Sequence, residues 1–189
     1  MRVISGSARG RTLKSVPGRN TRPTSDRVKE AMFSMIGPYI DGGEALDLFA
    51  GTGALGIEAL SRGADRAIFV DAERASVEVV RANLRNTGLS ERAEVHRGDA
   101  ERALGILARR GLAFDLVFLD PPYRMRNMDE IMRRMQELGL LKGGCRIVVE
   151  HAAEQDYPGR IGGLNRTKRA EYGDTAVSIY VFQPTEEME

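Results

Sequence analysis

Between residues 44 and 151 the chain alternates between two patterns. Short runs of consecutive apolar residues give way to longer stretches with an apolar residue every three or four positions. Residues 44–49 (EALDLF), 66–71 (RAIFVD), 93–98 (AEVHRG), 114–120 (FDLVFLD) and 145–151 (CRIVVEH) form the short runs, and each predicts a strand. Residues 54–62, 73–88, 99–111 and 128–141 carry the helical spacing, with Gly88 closing the second. Met128, Met132 and Met135 fall at i, i+4 and i+7, which assigns them to core packing. Strand and helix in alternation predict an α/β fold built on a mostly parallel, doubly wound sheet with right-handed crossovers.

Both ends depart from this pattern. Residues 162–173 and 175–184 read as two strands around Gly173-Asp174, an antiparallel hairpin that brings the expected sheet to seven strands. Residues 25–37 predict a helix with Ser25 as N-cap, Val28, Met32 and Met35 on its apolar face, and Gly37-Pro38 as its stop. Residues 2–5 and 11–16 flank a turn-rich centre and predict a small N-terminal β-hairpin.

The length, 189 residues, suits one domain, and 42% hydrophobic with 29% charged content is that of a soluble globular protein. No apolar run approaches the ~18 residues of a membrane span. The first 18 residues lack the apolar stretch of a secretory signal. A cytoplasmic protein with no membrane partner is expected. Cys145 is the sole cysteine and lies in a predicted buried strand, while His96 and His151 are far apart, so no metal site is expected.

Charge changes the picture more. Residues 1–30 hold eight basic and two acidic residues, a local net of +6 in a chain of net +1. Such asymmetry fits a basic arm facing a polyanion, or a solvated loop. The expected organisation is an N-terminal basic hairpin or arm over 1–20 and a Rossmann-like domain over 21–189. A second cluster, Arg160, Arg166, Lys168 and Arg169, either helps grip the same polyanion or forms a solvated face.

Gly51, Gly53 and Gly56 form a G-x-G-x-x-G array between the first strand and its helix, where a tight turn lets backbone approach a ligand. Asp71 ends the second strand, at the place where an acid accepts from ribose hydroxyls. Up to this point an NAD-dependent enzyme fits equally well. Asp47, inside the first strand and four residues before Gly51, shifts the balance, because its carboxylate would repel a pyrophosphate and attract an ammonium group. Asp99 either receives an adenine amino group or caps the following helix. Glu58 either faces the crevice or solvent. A ligand with an adenosine, an ammonium and no phosphate is S-adenosylmethionine.

The fourth strand ends in Asp120-Pro121-Pro122-Tyr123, and prolines continue neither strand nor helix. The Asp120 carboxylate and Pro121 carbonyl are placed to accept hydrogen bonds from an exocyclic NH2 group and aim its lone pair at a methyl donor. Tyr123 is placed to stack on a flipped-out or single-stranded base.

In combination, DPPY and DLFAGTG resemble the amino-group class of S-adenosylmethionine-dependent methyltransferases. Together with RPTSDRVKEAMFSMI, DLFAGTGALGIEALSRGA and FVD, they resemble the bacterial 16S ribosomal RNA (guanine-N2)-methyltransferases of the RsmD type, over nearly the whole chain. The resemblance implies a class I methyltransferase fold and methyl transfer to one guanine N2 amine of 16S rRNA, within an assembled or late-assembling 30S subunit. It also implies a monomeric enzyme that uses S-adenosylmethionine and no metal. It carries over Asp47, Gly51, Gly53, Asp71 and Asp99, with Arg22 and Thr24, as donor-binding residues. Asp120, Pro121, Pro122 and Tyr123 become the catalytic loop, and Arg9, Arg11, Arg27 and Arg124 are expected to meet RNA. The alternatives are an amino-methyltransferase of the same fold acting on adenine in DNA or RNA or on a protein glutamine, and a non-enzymatic RNA-binding module.

Overall fold

The computed structural model describes residues 1–18 and 24–185. Strands β1 (Glu44–Asp47), β2 (Arg66–Asp71), β3 (Ala93–Arg97), β4 (Phe114–Leu119), β5 (Leu141–Ala152), β6 (Arg160–Ile161), β7 (Leu164–Tyr172) and β8 (Thr175–Phe182) form one sheet in the order β3-β2-β1-β4-β5-β8-β7-β6. Strands β1 to β5 pair in parallel, and β8 runs antiparallel to both β5 and β7. The order reverses at β1, which has β2 on one side and β4 on the other, so the crevice of a doubly wound sheet opens there.

Helices α1 (Asp26–Ile36), α2 (Ala54–Arg62), α3 (Arg74–Thr87), α4 (Ala100–Arg109) and α5 (Met128–Glu137) cover both faces. Side chains alternate along a strand, so each strand serves two cores. Leu46, Ile68, Val70, Val117, Leu119, Ile147 and Val149 pack with α4 and α5, where Met128, Met132 and Met135 are fully buried as expected. Ala45, Ala67, Phe69, Leu116, Phe118 and Val148 pack with α1, α2 and α3. Cys145 is buried within β5, and burial pushes its thiol up to about 12. Among the described residues no helix is long and apolar enough to cross a membrane.

The sheet has eight strands where seven were expected. Gly162, at φ 58°, turns the chain so that Arg160–Ile161 folds back on β7, which starts at Leu164. Helix α5 ends at Glu137, short of the expected 141. Gly139 takes φ 71° and Leu140 already accepts from Phe114 N, leading into β5.

The N-terminal hairpin is reduced to an isolated antiparallel bridge between Arg2 and Thr12. Val3 N donates to Arg11 O, Gly10 N to Val3 O and Leu13 N to Met1 O across it, while other donors turn to α2. Ile4 N donates to the Glu58 carboxylate at 2.8 Å, Ser5 N reaches the same group at 3.4 Å, and Ser7 N donates to Ser61 O. Val3, Ala8 and Leu13 sink into the core beside α1 and α2.

Ser25 caps α1 as expected, its hydroxyl accepting from Val28 N at 3.2 Å. The buried stripe of that helix is nevertheless Lys29, Met32, Phe33 and Ile36. A lysine faces inward because Glu58 faces it. Lys29 Nζ lies 3.6 Å from Glu58 Oε1, Arg62 Nε lies 3.6 Å from Oε2, and both Lys29 and Glu58 have no exposed surface. Lys29 Nζ also donates to Arg2 O at 2.6 Å, and the Arg62 guanidinium sits 4.7 Å above the Phe33 ring. Burial pulls the Lys29 ammonium below its usual range, and the Glu58 carboxylate opposes that shift. Glu58 therefore faces neither crevice nor solvent: it ties the N-terminal segment, α1 and α2 together.

Replacing Glu58 with Ala leaves two buried cations short of their counter-charge and the Ile4 N–H without its acceptor. Such losses cost about 3–5 kcal/mol. The expected outcome is a large fall in the urea midpoint, with faster tryptic cleavage at Arg9 and Arg11 below that midpoint.

Candidate active site

Side-chain alternation and parallel register together build the site. Asp47 pairs in register with Phe69 on one side and Phe118 on the other, and Leu119 pairs with Val149. Asp47, Asp71, Asp120 and Glu150 therefore reach the carboxyl edge of four neighbouring parallel strands. All four have the parity of the face covered by α1, α2 and α3.

The turn after β1 needs glycine. Gly51 and Gly53 adopt φ 58° and 82°, and Gly53 is the N-cap of α2. A side chain at Gly56 would run into the Phe69 ring, so this glycine lets helix and sheet approach. Two acids brace the turn: Asp71 Oδ2 accepts from Gly51 N at 2.8 Å and Asp47 Oδ2 from Gly56 N at 3.0 Å. The other Asp71 oxygen accepts from Glu73 N at 2.9 Å.

Asp47 is 1% exposed, and its Oδ1 is buried with no hydrogen-bond partner among the described residues. Burial pushes its carboxyl up to about 7, with the Gly56 N–H opposing and the nearby Asp71 charge adding to the rise. Asp99 is exposed beyond β3 and takes the capping role, its Oδ2 accepting from Arg102 N at 3.1 Å. Beside it, Val70, Arg102, Ala103, Ile106 and Leu107 help line an open cleft of about 270 Å³ between α4 and the ends of β2 and β3.

Across the switch point, Asp120 is half-buried and Pro121 buried. Pro122 O accepts from Met125 N at 2.9 Å and closes a turn, while the Pro121 carbonyl accepts no hydrogen bond among the described residues. The Thr24 hydroxyl lies 3.2 Å from Asp120 Oδ2 and 2.7 Å from Glu150 Oε2. Burial raises the Asp120 carboxyl well above the usual carboxylate range, and the charges of Glu150 and Asp47 add to it. Tyr123 is 52% exposed, with its hydroxyl 2.8 Å from Thr175 Oγ1 at the start of β8.

The structure thus gathers Thr24, Asp47, Gly51, Gly53, Asp71, Asp120 and the two prolines at one edge of the sheet. Glu150 joins them without having been expected. The only trace of it in sequence is a charged residue in the register of Val148 at the end of a buried strand. Arg9, Arg11, Arg27 and Arg124 are exposed, and Arg22 lies outside the described residues. The C-terminal cluster is largely engaged internally. Arg166 meets Asp156 at 2.7 Å, Arg169 meets Glu171 at 2.7 Å, and Lys168 donates to Met35 O. His96 is exposed and His151 is hydrogen-bonded to Ser178 in the sheet.

The family profile described as "Conserved hypothetical protein 95" matches residues 1–181. The chain belongs to that family. It is 49% identical over 180 residues to "Putative rRNA methyltransferase YlbH" of Bacillus subtilis, covering 95% of this chain and 98% of that protein. It is 33% identical over 184 residues to "Ribosomal RNA small subunit methyltransferase D" of Escherichia coli, covering 95% and 89%. Among solved structures, "Putative methyltransferase yhhF" from Escherichia coli superposes with TM-score 0.82 at 34% identity, covering 98% of this chain and 99% of that one. The fold is therefore the Rossmann-like fold of class I S-adenosylmethionine-dependent methyltransferases.

The raised Asp47 group makes a prediction about the ligand-free protein. Between about pH 4 and 7 the folded state keeps a proton that the unfolded chain has lost, so stability falls as pH rises through that window. The fall is at most about 4 kcal/mol. Asp47→Asn should flatten this dependence, gaining stability at pH 7.5 relative to pH 4.5, as read by chemical unfolding at several pH values.

Proposed function

We propose that this protein transfers a methyl group from S-adenosylmethionine to the exocyclic N2 amine of one guanine in 16S rRNA of the small ribosomal subunit. One observation carries the reading. A rigid Asp-Pro-Pro-Tyr loop and an acid-braced glycine turn meet across the switch point, in a chain similar over 95% of its length to a small-subunit rRNA methyltransferase. The donor supplies an electrophilic methyl carbon on a cationic sulfur.

The residues present suit such a ligand. The orphaned Asp47 Oδ1 is a buried acceptor awaiting a donor, which an ammonium group or a bridging water satisfies. Gly51 and Gly53 leave the backbone open to close approach. Asp71, at the end of β2 beside the glycine turn, is placed to meet ribose hydroxyls, and Asp99, beside the cleft under α4, offers an acceptor to the adenine amine. Arg22 and Thr24 complete the donor side. Acids rather than a phosphate cradle line the pocket, which favours a cationic ligand over a dinucleotide.

On the substrate side, the Asp120 carboxylate and Pro121 carbonyl accept the two N–H groups of the guanine amine. That fixes the nitrogen and turns its lone pair toward the methyl group. Tyr123 stacks on the unpaired base, its ring held by the Thr175 hydroxyl. Residues 1–20 act as a basic arm on the 21–189 domain, with Arg9 and Arg11 reaching phosphates and Arg27 and Arg124 flanking the mouth. The partner is 16S rRNA within an assembled or late-assembling 30S subunit, met by a cytoplasmic monomer that needs no metal.

Asp120→Ala should abolish methyl transfer while S-adenosylhomocysteine still binds by calorimetry. Nucleoside mapping of rRNA from cells lacking the gene should show one missing N2-methylguanosine, restored by the wild-type chain and not by this variant. An unchanged nucleoside map would remove the substrate assignment.

Charge reversal at Arg9 and Arg11 should weaken RNA binding most at low salt. It should also lower the slope of log K against log salt by about 0.7–0.9 for each phosphate that the arm no longer neutralises. A slope indifferent to both changes would remove the arm from the interface.

A further inference from the structure

Two carboxyl groups and one hydroxyl meet at the catalytic loop, and their hydrogens do not suffice if both acids are ionised. Thr24 has a single hydroxyl hydrogen, yet its oxygen lies 2.7 Å from Glu150 Oε2 and 3.2 Å from Asp120 Oδ2. The shorter contact takes that hydrogen. The longer one then becomes a full hydrogen bond only if Asp120 itself donates. Asp120, just past β4, and Glu150, within β5, lie on the same face of adjacent parallel strands, as the Leu119–Val149 register requires. Glu150 is only 8% exposed. Two carboxylates this close do not both ionise at neutral pH.

We propose that Glu150 is a positioning residue for the reaction, holding the one proton of an Asp120–Glu150 pair so that Asp120 is free to accept hydrogens from the substrate amine. The inference rests on the methyl-transfer reading above. In the empty site the proton sits on Asp120, because the shorter contact to Glu150 takes the Thr24 hydrogen and only an Asp120 O–H completes the longer one; burial raises both carboxyls. When an amine docks, its N–H groups need an ionised acceptor. The Asp120 O–H bond breaks and its proton passes to the Thr24 oxygen, while the original Thr24 hydroxyl proton passes to Glu150 Oε2. Asp120 is now a carboxylate and Glu150 a neutral acid. As the new N–CH3 bond forms, the S–CH3 bond breaks with its electron pair left on sulfur, and the substrate nitrogen releases one proton to Asp120. Both acids are then protonated, and one proton leaves to solvent with the product.

Among the described residues, the groups facing Asp120 are Thr24 ahead of α1, Glu150 on β5 and Asp47 on β1. Removing the Glu150 charge relieves one repulsion and leaves the Asp47 charge in place. In wild type the singly protonated pair is the active form, because Glu150 takes the proton that Asp120 gives up, so kcat rises as the doubly protonated pair loses one proton. In the free protein the remaining proton is held on Asp120 by the neighbouring negative charge, and removing that charge lets Asp120 ionise at lower pH.

The test compares wild type with Glu150→Gln, which keeps shape and the Thr24 contact. Carboxyl-carbon NMR titration of the protein without RNA or donor should show the Asp120 midpoint falling by about one pH unit or more in the variant. With Glu150 unable to take the proton, kcat in the variant should follow that Asp120 midpoint, whereas wild-type kcat should already be high at pH values where its Asp120 is still protonated, with KM for RNA unchanged. A uniform loss of kcat with the Asp120 midpoint unmoved would show a merely structural role and overturn the proposal. If Glu150→Gln fails to fold, Thr24→Val carries the same test. It should lower kcat and shift its rise with pH, with Thr24→Ser recovering most of the loss, and equal effects of Val and Ser would overturn the relay. The substrate reading fails separately: wild type that makes no N2-methylguanosine, while the NMR midpoint still moves, removes the guanine assignment and supports the proton-sharing pair.

Discussion

Repulsion among carboxylates at one edge of a parallel sheet governs this protein. The parallel register sets Asp71, Asp120 and Glu150 each two residues past the level of Asp47. The side-chain period of two then turns Asp47, Asp71, Asp120 and Glu150 toward the same covered face. Four acids in a partly dry crevice cannot all remain charged without compensation. Each is compensated differently. Asp71 accepts two backbone N–H groups, Asp47 accepts one and keeps a bare oxygen, and Asp120 and Glu150 share Thr24. The result is a graded field that favours a cationic ligand near β1 and an N–H donor near β4. Phosphate, which the same glycine turn would welcome in a dinucleotide site, meets repulsion here.

The order of elements from β1 to β5 was legible because strand and helix periods differ sharply and glycines punctuate the changes. Asp47, Asp71 and Asp120 were legible because each interrupts or ends an apolar run where no packing reason calls for an acid. Glu150 was not, since a single charged residue at the end of CRIVVEH resembles an ordinary strand terminus. Only its pairing neighbour, unknown until β5 is placed beside β4, gives it meaning. Lys29 and Glu58 were missed for a related reason. Helical periodicity counts apolar residues, so an inward lysine matched by an inward glutamate on another helix leaves no trace in either segment alone. The N-terminal hairpin was legible in part. Val3, Gly10 and Leu13 donate across it, but Val3 and Leu13 also pack on α1 and α2, and the donors of Ile4 and Ser7 go to Glu58 and Ser61, which leaves one antiparallel bridge instead of a longer ladder.

The Glu150 site and the Lys29–Glu58 pair meet at one helix. Thr24 precedes the Ser25 cap of α1, and α1 is fixed by Lys29 to Glu58 on α2, which the glycine turn leads into. The hydroxyl between the two acids and the backbone facing the donor are therefore referenced to one buried ion pair. The basic arm hangs on that pair as well, through the Ile4 and Arg2 backbone. Salt distinguishes the two kinds of charge. Exposed Arg9 and Arg11 are screened over about 8 Å at physiological ionic strength, whereas Lys29 and Glu58, with no exposed surface, are screened far less. Raising salt should thus release a polyanion from the arm while leaving the arm on α2. Loss of a bound polyanion and loss of site geometry are in that way separate events, one governed by exposed charge and the other by buried charge.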